Sequence, residues 1–179
     1  TLSLHDALPI LAHVRVVPVL EQLLAEPTCG VQGVLAAGHV CTVLGEEGLP
    51  ALAQRHRRPV VITGFSAEEL LRGILCCVQQ LEAGSHGLQN AYPKAVQTAG
   101  NPQARHRLEQ VLEPIDAPWR GFGVIPGGGY RLRPGYAPLE AQPGPTPEPN
   151  PTSPHPCCSA QVLQGALRPS QCPSFANPC

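Results

Sequence analysis

The segment Pro59–Thr63, PVVIT, constrains the fold of this chain more than any other stretch. It is apolar without alternation, the pattern of a strand covered on both faces, as in a parallel sheet. After Gly64-Phe65, Ser66 and Glu69 form an S-x-x-E capping box. Leu70, Ile74, Cys77, Val78 and Leu81 then make the apolar stripe of a helix that stops at Gly84. Upstream, Val31–Leu35 predicts a brief strand, followed by a short helix through Leu44 and another over Leu49–Arg55. Strand, helix, strand, helix is the order of a right-handed βαβ crossover, so the predicted fold class is α/β with a parallel sheet.

The flanking elements follow from local signals. Val19, Leu20, Leu23 and Leu24 predict a helix with Pro18 in its first turn, and Ile10–His13 the end of a strand. Leu88–Val96 reads as an edge strand, since Pro93 is unsuited to a central one. Asn101-Pro102 starts a helix carried by Ala104, Leu108, Val111 and Leu112. Within Glu113–Arg133 a strand is predicted over Gly121–Ile125 and a glycine turn over Gly127–Gly129. From Pro138 to Pro156 proline recurs among threonine, serine and glutamate, a composition that builds no core and forms an extended linker.

The expected organisation is therefore an α/β body over residues 11–137, a linker over 138–156 and a small cysteine-rich segment over 157–179. Residues 1–10, TLSLHDALPI, are set aside as a non-native leader. The 179 residues contain no methionine, so the chain is expected to be an internal piece of a longer multi-domain protein. A net charge of −1 without a basic stripe argues against nucleic acid as a partner. Leu70–Leu81, broken by Arg72 and Gln79, is too short and polar to span a bilayer. Cys29, Cys41, Cys76 and Cys77 are scattered through the α/β pattern, which fits a reduced, cytoplasmic protein.

The candidate chemistry lies in two places. Cys157, Cys172 and Cys179 are spaced C-x14-C-x6-C and are candidate metal ligands. On spacing alone an iron–sulfur cluster, a zinc site and a disulfide framework stand level, because each needs sulfur gathered from a loop-rich segment. Cys158, next to the first, is a competitor for the metal. The second place is Gly38 and His39, just beyond a strand's C-terminal end, where ligands bind in open α/β sheets. They are the candidate cofactor-binding residues, with Cys41 behind them, although a loop histidine is often simply hydrogen-bonded. Cys76 and Cys77, mid-helix, read as small core residues.

Other features invite blander readings. Pro126 stands where G-x-G-x-x-G, begun at Gly121 and Gly123, needs its third glycine, and no helix follows, which argues against phosphate binding. Trp119 and Arg120 read as a core aromatic with its stacked cation. Glu68, Glu69, Glu113 and Asp116 have no partner at a spacing that would make an acid–base pair.

Several uncommon residues in order carry a family resemblance. Gly33-Val34-Leu35, Gly38-His39-Val40 and Gly45 come first, then Gly64-Phe65, then Gly100-Asn101-Pro102. Glu113-Pro114, Asp116, Trp119-Arg120-Gly121, Gly123 and Ile125-Pro126 follow, and Val162–Gly165, Arg168–Cys172 and Phe175 complete the set. Together they resemble the HypD family of hydrogenase-formation proteins. The family's Cys-Pro before GHV is Ala36-Ala37 here, the glutamate of its GFE is Ser66, and the rest of its C-x-C-G is Ser159 and Ala160.

The resemblance implies that Cys157, Cys172 and Cys179 are three of four ligands to a [4Fe–4S] cluster acting as an electron relay. The fourth ligand would lie 17 residues beyond Cys179. It implies a scaffold for assembling the Fe(CN)2CO unit of [NiFe]-hydrogenases, working with a HypC-type chaperone, HypE, HypF and the hydrogenase large subunit. That makes a metallocofactor assembly scaffold the expectation rather than a conventional enzyme. The family's iron-binding motifs CG-x-H-x-H and GPGCPVC do not occur in these residues, so this chain by itself is expected not to hold the Fe(CN)2CO unit. Two alternatives are a nucleotide- or cofactor-binding α/β enzyme with a zinc-stabilised tail, and a non-functional gene remnant.

Overall fold

The computed structural model describes residues 13–119, 121–140 and 158–176. The leader over 1–10, most of the Ile10–His13 strand, Arg120 and linker residues 141–156 lie outside the described residues. In chain order the elements are α1 (Val16–Ala25), β1 (Val34–Ala37), α2 (Gly38–Leu44), α3 (Leu49–His56), β2 (Val60–Thr63) and α4 (Ala67–Glu82). They continue with β3 (Leu88–Asn90), α5 (Pro102–Val111), β4 (Leu112–Trp119), β5 (Gly123–Leu132) and α6 (Ser159–Leu163). The chain divides into two units, one of Gly30–Leu108 and one of Thr1–Cys29 with Glu109–Cys179.

The Gly30–Leu108 unit is built on the PVVIT strand. β2 lies between β1 and β3, parallel to both, with Val34 opposite Val60 and Val60 opposite Leu88. Successive side chains of a strand point to opposite faces, so burial of all four β2 residues means that both faces are covered. Val60, Val61 and Ile62 have 0% exposure, as do Leu52 and Ala53 of α3, which lies against β2. The parallel α/β sheet predicted from continuous apolarity is present. β1 starts three residues later than its apolar run suggests, because pairing opens with the bond from Val34 N–H to the carbonyl of Pro59.

α4 begins and ends on the signals in its sequence. Ser66 Oγ accepts from the Glu69 N–H while the Glu69 carboxylate accepts from the Ser66 N–H, a complete capping box. At the other end Gly84 has φ +59°, and bonds from Gly84 N–H to Leu81 and from Ser85 N–H to Gln80 close the helix.

The rotation of α4, however, is not the one its apolar stripe implies. Gly73 is the buried residue of this helix, and a Cβ on it would stand 2.8 Å from Cβ and Oγ1 of Thr63. That close approach turns Gly73 to the sheet, with Glu69, Cys76, Cys77 and Gln80 half-buried around it. Leu70, Ile74, Val78 and Leu81, with Leu71 and Leu75, are left exposed among the described residues.

In the other unit β4 and β5 form an antiparallel hairpin, its register shifted between Ile115 and Ala117 at Asp116. α1 packs on β5, and Val19, Leu23, Leu24, Ala117, Ile125 and Leu132 are buried here. The glycine turn predicted at Gly127–Gly129 is corrected: these residues lie inside β5, and the chain turns instead through Gly121, φ +84°. Gly127 has φ +61°, and Gly128 and Gly129 are glycines because of close packing. A Cβ on Gly129 would stand 2.6 Å from that of Ala117, and one on Gly128 3.0 Å from the Trp119 indole nitrogen. Trp119 Nε1 donates to the Gly128 carbonyl at 3.0 Å, which anchors the half-buried indole.

Because α4 meets the sheet through a side chain of one hydrogen, added volume there has nowhere to go. Gly73→Val is expected to lower the unfolding free energy by about 1–3 kcal/mol, measured as a lower urea midpoint at unchanged m-value.

Candidate functional site

The three parallel strands of the Gly30–Leu108 unit end on one edge, β1 passing straight into α2 and the other two into loops. β1 leads into Gly38-His39, β2 into Gly64-Phe65-Ser66, and β3 into Ala91–Lys94. This is the edge at which open α/β sheets bind ligands.

Two glycines let these loops come together. A Cβ on Gly38 would stand 2.6 Å from the Thr63 carbonyl oxygen and 2.8 Å from Cδ1 of Tyr92. One on Gly64 would run into the Glu69 carboxylate. Gly38 is thus buried as the first residue of α2, while His39 is exposed beside it. The His39 imidazole rests on the Phe65 ring, centroids 5.0 Å apart and planes at 44°. Phe65 is 61% exposed, so the pair forms a small aromatic rim on the sheet edge.

Glu69 fastens the rest of the edge. Beyond its capping bonds, its carboxylate meets Lys94 Nζ at 2.6 Å, and its carbonyl accepts from Thr63 Oγ1 at 2.7 Å. Lys94 also stands 5.4 Å from the centroid of the Tyr92 ring. Asn90 fixes the β3 loop by accepting from the Tyr92 N–H and donating to the Val96 carbonyl. Around these groups opens a cleft of about 260 Å³ lined by Ser66, Glu69, Arg72, Tyr92 and Lys94, among others. Its charges are balanced, since Arg72 is itself paired with Glu68 at 3.0 Å.

The hydrogen bond from Lys94, with those from Ser66, holds the Glu69 carboxyl down at about 2. Lys94 is raised in turn, chiefly by its hydrogen bond to Glu69. Cys41, buried behind His39, has its thiol pushed up by burial and then by the charge of Glu46, which holds it in the neutral form and suits a core residue. Burial, then the neighbouring Cys76, raises Cys77 likewise.

Of the sequence's three metal candidates, Cys172 alone is among the described residues. Cys157 and Cys179 lie outside the described residues. Cys172 is a half-buried free thiol at the end of a short 3-10 turn over Pro169–Gln171. α6 begins against the β-hairpin turn, where a Cβ on Gly121 would meet Ser159 Oγ and stand 3.0 Å from the Ala160 nitrogen. Among the described residues no three His, Cys, Asp or Glu side chains form a group that could hold a metal. Glu113 and Asp116 are structural: Glu113 pairs with Arg131 at 2.6 Å, and Asp116 accepts from the Gly127 N–H at 2.8 Å.

The S-x-x-E spacing marked Glu69 as part of a cap, and the sequence gave no sign of Lys94, Tyr92 or Asn90. The signal available was Asn90 two residues before Tyr92, the spacing at which an Asn side chain bonds the backbone of its own turn.

The HypD family, described as the hydrogenase formation hypA family, matches residues 3–179. Hydrogenase maturation factor HypD of Escherichia coli strain K12 is 36% identical over 170 residues, covering 93% of this chain and 45% of that protein. Hydrogenase maturation factor HypD of Rhizobium leguminosarum bv. viciae is 31% identical over 179 residues, covering 93% and 46%. The chain belongs to the HypD family, and it spans about half the length of the curated relatives it matches. Among the described residues no helix is long and apolar enough to cross a membrane.

The Glu69 clasp has a pH signature. A carboxyl depressed from the ordinary glutamate range to about 2 contributes stability fully above the unfolded value and loses it as pH falls through the folded one. Urea midpoints are therefore expected to fall between pH 5 and about 2, and Glu69→Gln to flatten that fall. Equal slopes in both proteins would show that the pair is not coupled to folding.

Proposed function

We propose that this chain is part of a hydrogenase-maturation scaffold of the HypD type. Cys157, Cys172 and Cys179 are three of the thiolate ligands of a [4Fe–4S] cluster, and Gly38 and His39 line the edge that faces the cofactor. The Fe(CN)2CO unit is cargo assembled on the whole protein, whose partners are a HypC-type chaperone, HypE, HypF and the hydrogenase large subunit. The setting is the cytoplasm.

The observation that carries this reading is the family match over residues 3–179, which runs through the cysteine segment to its last residue. One of the three donors lies among the described residues, and its setting supports the reading. Cys172 is half-buried at a turn end, where a thiolate reaches a ligand without unfolding a core, whereas Cys41 is buried behind the sheet edge. Bound there, the cluster supplies one-electron chemistry. The residues' own part is to present sulfur from a turn whose backbone is held by bonds from Cys172 N–H to Pro169 and from Phe175 N–H to Cys172. The cysteine-rich segment over 157–179 is accordingly an iron–sulfur module, joined to the α/β body by the proline-rich linker over 138–156.

Anaerobic reconstitution with ferrous iron and sulfide tests this. The expected result is the visible absorption and Mössbauer spectrum of a [4Fe–4S] cluster, lost in Cys172→Ser. Stoichiometric zinc in the purified protein, with no iron taken up, would favour the zinc-stabilised tail instead.

A further inference from the structure

The phase imposed on α4 leaves a surface that nothing among the described residues covers. Leu71 and Leu75 are 67% and 56% exposed, and Leu70, Ile74, Val78 and Leu81 extend the stripe along the helix. Beside it, Leu35 on β1 is 40% exposed. Val61 and Thr63 are the β2 partners of Leu35 and Ala37, and Thr63 meets α4 through Gly73, so Leu35 lies on the α4 face of the sheet. β1 is also an outer strand of a three-stranded parallel sheet, a kind that is normally covered on both faces. Helix stripe and strand flank form one apolar surface.

The charges around the stripe narrow the choice of occupant. Glu68 and Glu69 stand in the first turn and Glu82 in the last residue, and no basic residue stands in the last turn. Arg72 is already paired with Glu68. If a second copy packed its stripe antiparallel about Leu75, Glu68 of each would face Glu82 of the other. Glu68 is neutralised by Arg72 and Glu69 by Lys94, so it is parallel packing, which sets Glu82 against Glu82, that brings like charges together as the apolar contact forms. The complement is an apolar helix with Lys or Arg at the end that meets Glu82.

We propose that the outward face of α4 and the flank of β1 are the seat of the other half of the HypD chain, presented as such a helix. The E. coli relative is 45% covered by this chain, so an α/β protein of this family has about as much chain again with which to cover the sheet. A contact that completes a sheet layer is of the permanent, core-like kind, which suits a segment of the same protein better than a transient partner. The inference rests on family membership and on the exposed stripe, not on the metal chemistry, so the two can fail separately.

Side-chain footprinting with hydroxyl radicals tests it. The purified chain is labelled alone and with the separately expressed portion of E. coli HypD that lies outside the 170 matched residues. Should that portion not fold alone, a chimera in which this chain replaces the matched residues gives the same comparison. Leu71 and Leu75 are expected to oxidise readily in the isolated chain and to be protected in the mixture. Leu71→Glu/Leu75→Glu is expected to weaken the association by roughly tenfold or more while leaving the urea midpoint of the chain unchanged. Unchanged labelling on mixing, or protection already present in the isolated monomer, would overturn the proposal. So would protection that tracks a dimeric mass, which would assign the face to a second copy.

Discussion

The contact between Gly73 and Thr63 governs the Gly30–Leu108 unit. Thr63 ends the buried central strand, and its hydroxyl donates to the Glu69 carbonyl in the first turn of α4. With a bare glycine one turn further on, the helix settles closely over that threonine. Its rotation about its own axis is thereby fixed, and so is the direction of every α4 side chain. Glu69 is carried toward Lys94 and the β3 loop, Cys77 to Gly33 at the foot of β1, and the leucines outward. One short approach thus sets the clasp of the sheet edge and the character of the opposite surface.

Much of this was legible in the sequence. Continuous apolarity in PVVIT gave a buried parallel strand, because burial on both faces removes alternation. Ser66 and Glu69 gave the start of α4, and Gly84 its end, because capping chemistry is local. The phase of α4 was not legible, since a hydrophobic stripe says that a face avoids water and not what it will meet. Gly127–Gly129 misled for a related reason. Glycine signals either positive φ or close approach, and here proximity to Ala117 and Trp119 accounts for Gly128 and Gly129 inside a strand. The site was legible in part: Gly38 and His39 follow from where a strand ends. The Glu69–Lys94 pair joins the first turn of α4 to a loop 25 positions on, beyond any local pattern.

The antiparallel unit shows the same division between local and long-range causes. Prolines at 114, 118 and 126 argue against a central strand and are tolerated here: Pro114 and Pro118 lie on β4, which pairs with β5 alone among the described residues, and Pro126 precedes the stretch of β5 whose far edge takes Val14 opposite Gly129. Asp116 takes up the register shift by accepting from Gly127 across the hairpin. Later in the chain, α6 comes to rest on Gly121 of that same turn, so the hairpin helps to place the residues leading to Cys172.

Gly45 and Gly100 supply one more link in the α/β unit. Both have positive φ, +70° and +67°, and a Cβ on either would stand 2.5 Å from the backbone nitrogen of the other. Each is the wall the other is pressed against. Asn101, next to Gly100, donates its N–H to the Val43 carbonyl and accepts through Oδ1 from Ala104 as the cap of α5. The end of α2 and the start of α5 are therefore joined main chain to main chain, with no side chain between them to trim. A larger residue at one position has no compensating smaller residue at the other, because both are already as small as residues come. In evolutionary terms this joint is a ratchet: it can be kept or lost, but not renegotiated one substitution at a time.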